Sequence, residues 1–375
     1  MSILRVGVIG VGRMGDRHCR VYSTLRNTRL VGVCDVSAPL GNRVAQQYEV
    51  PFYSEVDDLL GHVDAVSITT PTPQHFGLAL RCLERGVHVL VEKPMTETVA
   101  EAEQLTLAAE ASRRVVQVGH IERFNPTYIE LKKLLTDVTP LAVNWRRLSP
   151  YAGSNTDVDV IYDLMVHDLD LALDLMGTEP RSVAAYGLTA HNGVADHVIA
   201  HLHFEGGPLV TLTTSRVTEQ KVRMIEVTAQ EAFLEGDLLD KSIRVHRRTI
   251  GEYLGNSKYR QESVIERVQV PAAEPLYLEL QAFAQAVLDG RPPQVPARQA
   301  WRVLRLAETI REKCQAEFLT LGAAKMALAA KAPALSQPIA VNVPAPALPL
   351  AAAPASAVPA AVLPAAAAVR ASVSA

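Results

Sequence analysis

The stretch LRVGVIGVGRMG, Leu4 to Gly15, decides the fold. A Val/Ile-rich run that breaks at Gly10 and passes through Gly12 and Gly15 into a helical pattern is a strand, a sharp turn and a helix. Small residues are needed there because the backbone must turn tightly and come close to a pyrophosphate, whose charge then lies at the positive end of the helix. Arg13 and Met14 sit in the same turn and are expected beside the dinucleotide. Asp35 ends a second β-rich run, RLVGVCD, 20 residues past Gly15. Its carboxylate is placed to accept from the ribose hydroxyls of an adenosine and to repel a 2′-phosphate, and Val36 offers no cation to hold one, so NAD is expected over NADP. The glycines alone would equally serve a tight turn with no ligand; strand, helix and acid together favour the dinucleotide.

Outward from this unit, the first ~120 residues alternate β-rich runs (VDAVSITT, GVHVLVEKP, RVVQVGHI) with segments of helical spacing (PQHFGLALRCLERG, TVAEAEQLTLAAEASR). The expectation is an α/β fold with a doubly wound parallel Rossmann sheet over residues 1–122. After Ile121 the style changes. One helical segment, NPTYIELKKLLTD, leads to the strand LAVNWRRLS, the helical VIYDLMVHDLDLALDLMG, and then consecutive strands such as DHVIAHLHFEG, LVTLTTSRV and KVRMIEVTAQ. Such a block favours an α+β domain with a large open antiparallel sheet, residues 123–320. Residues 321–375 read as a disordered tail, because closely spaced prolines interrupt an Ala/Val/Leu background in which Arg370 is the only charge after Lys331.

A net charge of −3 over 375 residues gives no basic patch for nucleic acid. No proline-free apolar run in the tail approaches the ~20 residues needed to span a bilayer. Four scattered cysteines form no CxxC pair, and the chain begins MSILRVGVIG with no basic, apolar leader before the strand. A cytoplasmic protein with reduced thiols is expected, binding neither nucleic acid nor membrane.

Two further motifs carry chemistry. VEKPMT, Val91 to Thr96, ends the fifth strand, so Glu92 and Lys93 are expected at the carboxyl edge of the sheet where ligands bind. Lys93 there either hydrogen-bonds a substrate hydroxyl, with a pKa lowered by burial, or is a solvated strand-end lysine paired with Glu92. In VIYDLMVHDLD, Asp163 and His167 are four apart and share one face of an α-helix. If that face lines a cleft, Asp163 touches substrate while His167, with a pKa near the working pH, takes a hydroxyl proton as hydride leaves the same carbon. The alternative is a buried Asp–His pair serving packing. Asp168 and Asp170 lie off that face and are free to pair elsewhere. GHIERFNP places Arg123 and Asn125 at the start of the second domain, with Arg123 either holding a diphosphate or sugar oxygen or anchoring the domains by a salt bridge. His197, His201 and His203 share parity on one strand, opposite Val198, Ala200 and Leu202, with no acidic or thiol partner evident. A sheet face near water or against another subunit is a simpler reading than a metal site, and no metal is expected.

The ordered set GVGRMG, Asp35, TTPTPQHF, VEKPMT, GHIERFNP and DLMVHDLD resembles the Gfo/Idh/MocA oxidoreductases, over residues 1 to about 320. The resemblance implies a Rossmann domain joined at a cleft to an α/β domain, with the EKP lysine and the later helix histidine, here Lys93 and His167, acting at the carbinol. Asp163 matches the family's helix aspartate. Thr70, Pro71 and His75 match a loop that borders the nicotinamide ribose, although His75 at a helix start has an ordinary structural reading too. Met165 stands where the family often has glycine. The resemblance also implies a homodimer or homotetramer formed through the second sheet. GHIERFNP and VIYDLMVHDLDLAL are most similar to members that oxidise the 3-hydroxyl of UDP-N-acetylglucosamine for an aminotransferase partner in lipid A synthesis. A uronic acid derivative, a free sugar or inositol are the other substrates the family allows, and a non-catalytic NAD-dependent regulator is the other class.

Overall fold

The computed structural model describes residues 3–151, 158–191, 193–247, 252–254, 258–260, 264–316 and 319–320. The Ala/Pro-rich segment 321–375 lies outside the described residues. The first half runs β1 (Leu4–Ile9), α1 (Arg13–Tyr22), β2 (Thr28–Cys34), α2 (Ala38–Gln47), β3 (Phe52–Tyr53), α3 (Val56–Leu60), β4 (Ala65–Ile68), α4 (His75–Glu84), β5 (His88–Glu92), α5 (Val99–Ser112) and β6 (Val116–Gly119). All its strand pairs are parallel, in the order β3-β2-β1-β4-β5-β6. Val6, Val8, Val66, Ile68, Val89 and Val91 are fully buried because helices cover both faces of the sheet, which is why these strands read as unbroken apolar runs. The strand order reverses between β1 and β4, and that switch point opens a crevice at the carboxyl ends of the strands. Helix α5 starts where Thr98 and Glu101 cap each other, Oγ1 accepting from the Glu101 amide at 3.2 Å and the Glu101 carboxylate from the Thr98 amide at 3.1 Å.

The second half runs α6 (Pro126–Leu134), β7 (Pro140–Leu148), α7 (Val166–Met176), β8 (Ser182–Thr189), β9 (His197–His203), β10 (Leu209–Ser215), β11 (Val222–Ala229), β12 (Ala232–Asp237), β13 (Ser242–Arg247), β14 (Glu252–Leu254), β15 (Lys258–Arg260), β16 (Val264–Val268), α8 (Pro275–Asp289), α9 (Ala297–Ala316) and β17 (Leu319–Thr320). Its nine-stranded sheet has the order β16-β13-β12-β11-β7-β10-β9-β8-β17. The sheet is mixed, not wholly antiparallel. β10 inserts beside β7 and runs parallel to it, as β17 does beside β8, while the other pairs are antiparallel. One face packs against α7 and α9, with Val143, Trp145, Leu212, Ile225 and Val227 meeting Leu169, Leu173, Ala307 and Ile310. Val198, Ala200 and Leu202 are buried on that face, whereas His201 and His203, of opposite parity, are exposed.

The late helices do not stay with the second sheet. Leu276, Leu280 and Phe283 of α8 join the core under β1 and α1, and Val295, Ala300 and Leu304 join the core under β4 and β5. The first sheet is thus closed by residues almost three hundred positions downstream. All four cysteines are buried and free. Among the described residues, no helix is long and apolar enough to cross a membrane.

Candidate active site

At the switch point Gly10 has φ +85°, and a Cβ there would lie 2.7 Å from Cγ2 and 2.8 Å from the amide nitrogen of Thr70. A Cβ on Gly15 would lie 2.0 Å from the Gly10 carbonyl oxygen, so helix α1 approaches the turn only because residue 15 has no side chain. Nothing stands within 4 Å of a Cβ on Gly12, which leaves its backbone open to a ligand. Arg13 is exposed beside it and Met14 half-buried. The Asp35 carboxylate is aimed by two main-chain donors, the Val11 amide at 2.7 Å and the Ser37 amide at 2.8 Å, and Val36 next to it is fully exposed. Beside Gly10 the Thr70 hydroxyl is buried with no partner among the described residues. An open glycine, an aimed acid and an unpaired hydroxyl on one crevice fit a dinucleotide, with Gly10, Gly12 and Gly15 at the pyrophosphate and Asp35 at the adenosine ribose. Asp35→Asn is expected to weaken NAD about 10-fold or more, the scale of a charged hydrogen bond, and to narrow the preference over NADP. Comparing KM for the two cofactors checks this.

β5 delivers Glu92 and Lys93 to the same edge. Glu92 is held by the His18 imidazole Nε2 at 3.1 Å and accepts from the Lys93 amide at 3.3 Å. The Lys93–Pro94 peptide is cis. His75, buried, has its two ring nitrogens 2.9 Å from the Pro94 carbonyl and 2.8 Å from the Thr70 carbonyl. It ties the loop at 69–75 to the lysine turn, and Pro71 of that loop is exposed.

Opposite lies the segment before α7, and it is not a regular α-helix. Ile161–Met165 forms a π-helical turn that passes into α7, so Asp163 and His167 do not have the ideal one-face register expected from their spacing. Asp159 starts this turn, its Oδ1 accepting from the Ile161 and Tyr162 amides at 3.0 and 3.1 Å. Lys93 Nζ donates to the Asp163 main-chain carbonyl at 2.8 Å and lies 3.8 Å from its Oδ1. The Lys93 and Asp163 side chains keep 20% and 27% exposure, so neither is closed off from solvent. Burial lowers the pKa of Lys93, against the pull of Asp163 and Glu92. His167 is lowered well below its ordinary value, first by burial and then by the cations of Lys93 and Arg147. The expectation of a pKa near the working pH is therefore corrected: the imidazole is neutral at pH 7, and its buried Nδ1 has no partner among the described residues. A neutral imidazole, a cation and a carboxylate on one wall can accept a proton and support a developing alkoxide.

Arg123 and Asn125, expected at a substrate, are engaged elsewhere. Arg123 is buried and donates to Asp170 at 2.6 and 2.9 Å, to Asp174 at 2.8 Å and to Gln299 at 3.2 Å. Asn125 caps α6 through the Thr127 amide and donates to the Leu238 carbonyl. Burial makes unpaired charge costly, so these groups took partners within the fold. Several charged groups near the site escaped the sequence reading. Arg147 donates to both oxygens of Asp168, at 2.8 and 2.7 Å, and to Glu122 at 3.0 Å. His120 is buried near Asp170, and both carboxylate oxygens of buried Glu279 lack partners among the described residues. Burial, with Glu92 and Asp170 close by, pushes the Glu279 carboxyl well above its usual range. A signal for Arg147 existed: it shares strand parity with Val143 and Trp145, so alternation alone would have turned it inward.

Residues 4–120 match the oxidoreductase family with an NAD-binding Rossmann fold, and residues 141–235 match the GFO/IDH/MocA C-terminal domain. UDP-N-acetylglucosamine 3-dehydrogenase of Acidithiobacillus ferrooxidans is 34% identical over 316 residues, 84% of this chain and 99% of that protein. Its solved structure superposes with a TM-score of 0.76, covering the same shares. The NAD-dependent scyllo-inositol 2-dehydrogenase of Bacillus subtilis is 26% identical over 78% of this chain and 88% of its own. With both of its domains matched in order, the chain belongs to the Gfo/Idh/MocA family of NAD-dependent oxidoreductases.

Proposed function

We propose that this enzyme oxidises the 3-hydroxyl of a UDP-amino sugar, UDP-N-acetylglucosamine, to the 3-ketone, and that an aminotransferase consumes the product in 3-amino sugar synthesis for lipid A. What carries the reading is the match to a UDP-N-acetylglucosamine 3-dehydrogenase along 99% of that protein's length. Lys93, Asp163 and His167 on one crevice support it, because a regulator that only sensed NAD would have no use for such a set. NAD supplies the hydride acceptor. His167, neutral at pH 7, takes the hydroxyl proton; Lys93 donates to the same oxygen and stabilises negative charge as it develops; Asp163 fixes Lys93 and a neighbouring sugar hydroxyl. Thr70, Pro71 and His75 border the nicotinamide ribose, with His75 acting through the loop it ties. We further propose an NAD domain of residues 1–122 to which α8 returns, a substrate domain of 123–320, cytoplasmic residence and a homo-oligomer joined through the nine-stranded sheet.

The inositol reading has its own support in the Bacillus subtilis relative. One experiment separates them. Purified protein is given NAD with UDP-N-acetylglucosamine, N-acetylglucosamine or myo-inositol, with an aminotransferase and glutamate added to draw an uphill ketone forward. NADH formation and a 3-amino product about one mass unit lighter, the hydroxyl oxygen replaced by NH, are expected with the nucleotide sugar; turnover of inositol alone would replace this reading with the other.

A further inference from the structure

Four arginines are buried among the described residues: Arg123, Arg147, Arg216 and Arg223. Three have carboxylate partners. Arg123 is held by Asp170 and Asp174, Arg147 by Asp168 and Glu122, and Arg216 by Asp196 at 2.6 Å. Arg223, 8% exposed, has none within ion-pair distance among the described residues. Its Nη1 donates to the main-chain carbonyls of Leu148 at 2.8 Å and Val222 at 2.9 Å, and its Nη2 to the Ser149 hydroxyl at 3.1 Å. A buried guanidinium satisfied only by neutral acceptors is an exception to the rule that buried charges are paired, and it asks for a reason.

Its position supplies one. Arg223 is the cross-strand partner of Arg147, with both side chains on the inner face of the sheet. Like charges directly opposite oppose each other, and the two acids nearest to the pair, Asp168 and Glu122, are already bound by Arg147. Burial and Arg147 pull the Arg223 guanidinium down to about 10, so it remains charged at neutral pH. Arg147, directly opposite it, binds Asp168, the residue after His167 in α7, so Arg223 sits on the sheet face that packs against the helix of the proposed reaction centre. The second sheet therefore carries, one strand from the arginine that binds Asp168, a buried cation with no carboxylate partner among the described residues, its fork held by three neutral acceptors.

We propose that Arg223 recognises an anionic group of the substrate, either the diphosphate of a nucleotide sugar or the carboxylate of a hexuronate, and thereby selects charged sugars over neutral polyols. The inference rests on the nucleotide-sugar reading for its substrate class. A planar guanidinium, already desolvated and held in place, forms paired hydrogen bonds to phosphate or carboxylate with little further ordering. Neutral inositol offers no such group.

The test is calorimetric binding to the NAD-loaded full chain, wild type against Arg223→Gln and Arg223→Lys, with UDP, UDP-N-acetylglucosamine, its uronic acid counterpart and N-acetylglucosamine as ligands. Arg223→Gln is expected to weaken the charged ligands about 10- to 100-fold, the scale of a charge-assisted hydrogen bond, with Arg223→Lys intermediate and the neutral sugar unchanged. Equal losses for all three UDP ligands assign the diphosphate; a loss confined to the uronate assigns the carboxylate. Unchanged binding of every charged ligand, or an equal loss for the neutral sugar, overturns the inference. Should Arg223→Gln fail to fold, Arg223→Lys carries the comparison, and unaltered affinity in it together with unaltered salt dependence is the overturning result. Turnover is read separately. A wild type that oxidises UDP-N-acetylglucosamine while Arg223→Gln binds every charged ligand normally sinks only this inference; a wild type inactive on it yet binding the uronate in an Arg223-dependent way sinks only the substrate assignment.

Discussion

His167→Ala is expected to lower kcat by about 10²- to 10⁴-fold, the usual contribution of a positioned proton acceptor, with NAD affinity unchanged within about 2-fold. The separation follows from the architecture: His167 belongs to α7 under the second sheet, whereas the glycine turn and Asp35 belong to the first. Stopped-flow hydride transfer and NAD titration measure the two quantities independently. The pH profile adds a sharper demand. A proton acceptor must be neutral, and burial together with Lys93 and Arg147 keeps His167 neutral to well below its ordinary 6.5. The acid limb of kcat/KM should therefore lie below pH 6.5. Burial lowers Lys93 as well, so a limb from that group falls on the alkaline side below 10.5. An acid limb at or above 6.5 in the free enzyme would mean that another group takes the proton. The same shift has a stability sign. The unfolded chain protonates this histidine near 6.5 and the folded one only lower, so its contribution is lost as pH falls below 6.5, and His167→Ala should flatten that decline.

How much of this could be read from the chain depends on what each residue had to satisfy. Gly10 and Gly15 were readable because the backbone itself forbids a side chain there: one has positive φ and the other would collide with a carbonyl. Lys93 was readable as a polar residue ending an apolar strand of a parallel sheet. The mixed sheet was not, since β7 and β10 carry the same alternation whether parallel or antiparallel, and their adjacency depends on three intervening elements. β3 and α3, two and five residues long, are too short to show a period. The return of α8 to the first core was hidden because an apolar helical stripe does not say which sheet it covers. The spacing of Asp163 and His167 placed both in one helical segment, but the π-helical turn that holds Asp163 leaves no mark on sequence spacing. For Arg123 the sequence left two readings open, and only the presence of Asp170, Asp174 and Gln299 around it decides between them.

Arg147→Met is expected to destabilise the fold by about 3–5 kcal/mol, the cost of stripping one partner from a buried ion pair. Arg147 is 3% exposed, and among the described residues it is the only ion-pair partner of Asp168, itself buried, which it holds through two oxygens while also holding Glu122. Removing it leaves a buried carboxylate with no other ion-pair partner among the described residues. The penalty is thus one of abandonment, not a measure of what the pair is worth. Replacing both partners, Arg147→Met with Asp168→Leu, should recover most of the loss, because an apolar pair of similar volume avoids the desolvation of either charge. Denaturant unfolding of the two single variants and the double variant measures this coupling directly. A loss below about 1 kcal/mol in Arg147→Met would indicate that Asp168 takes up a proton without difficulty and that the pair does not anchor α7. Asp168 follows His167 directly in the chain, so its tether to β7 also sets the rotation of the helix that aims the imidazole. In the double variant, stability is expected to return while kcat stays lowered: apolar packing can restore the fold without restoring the direction in which His167 points.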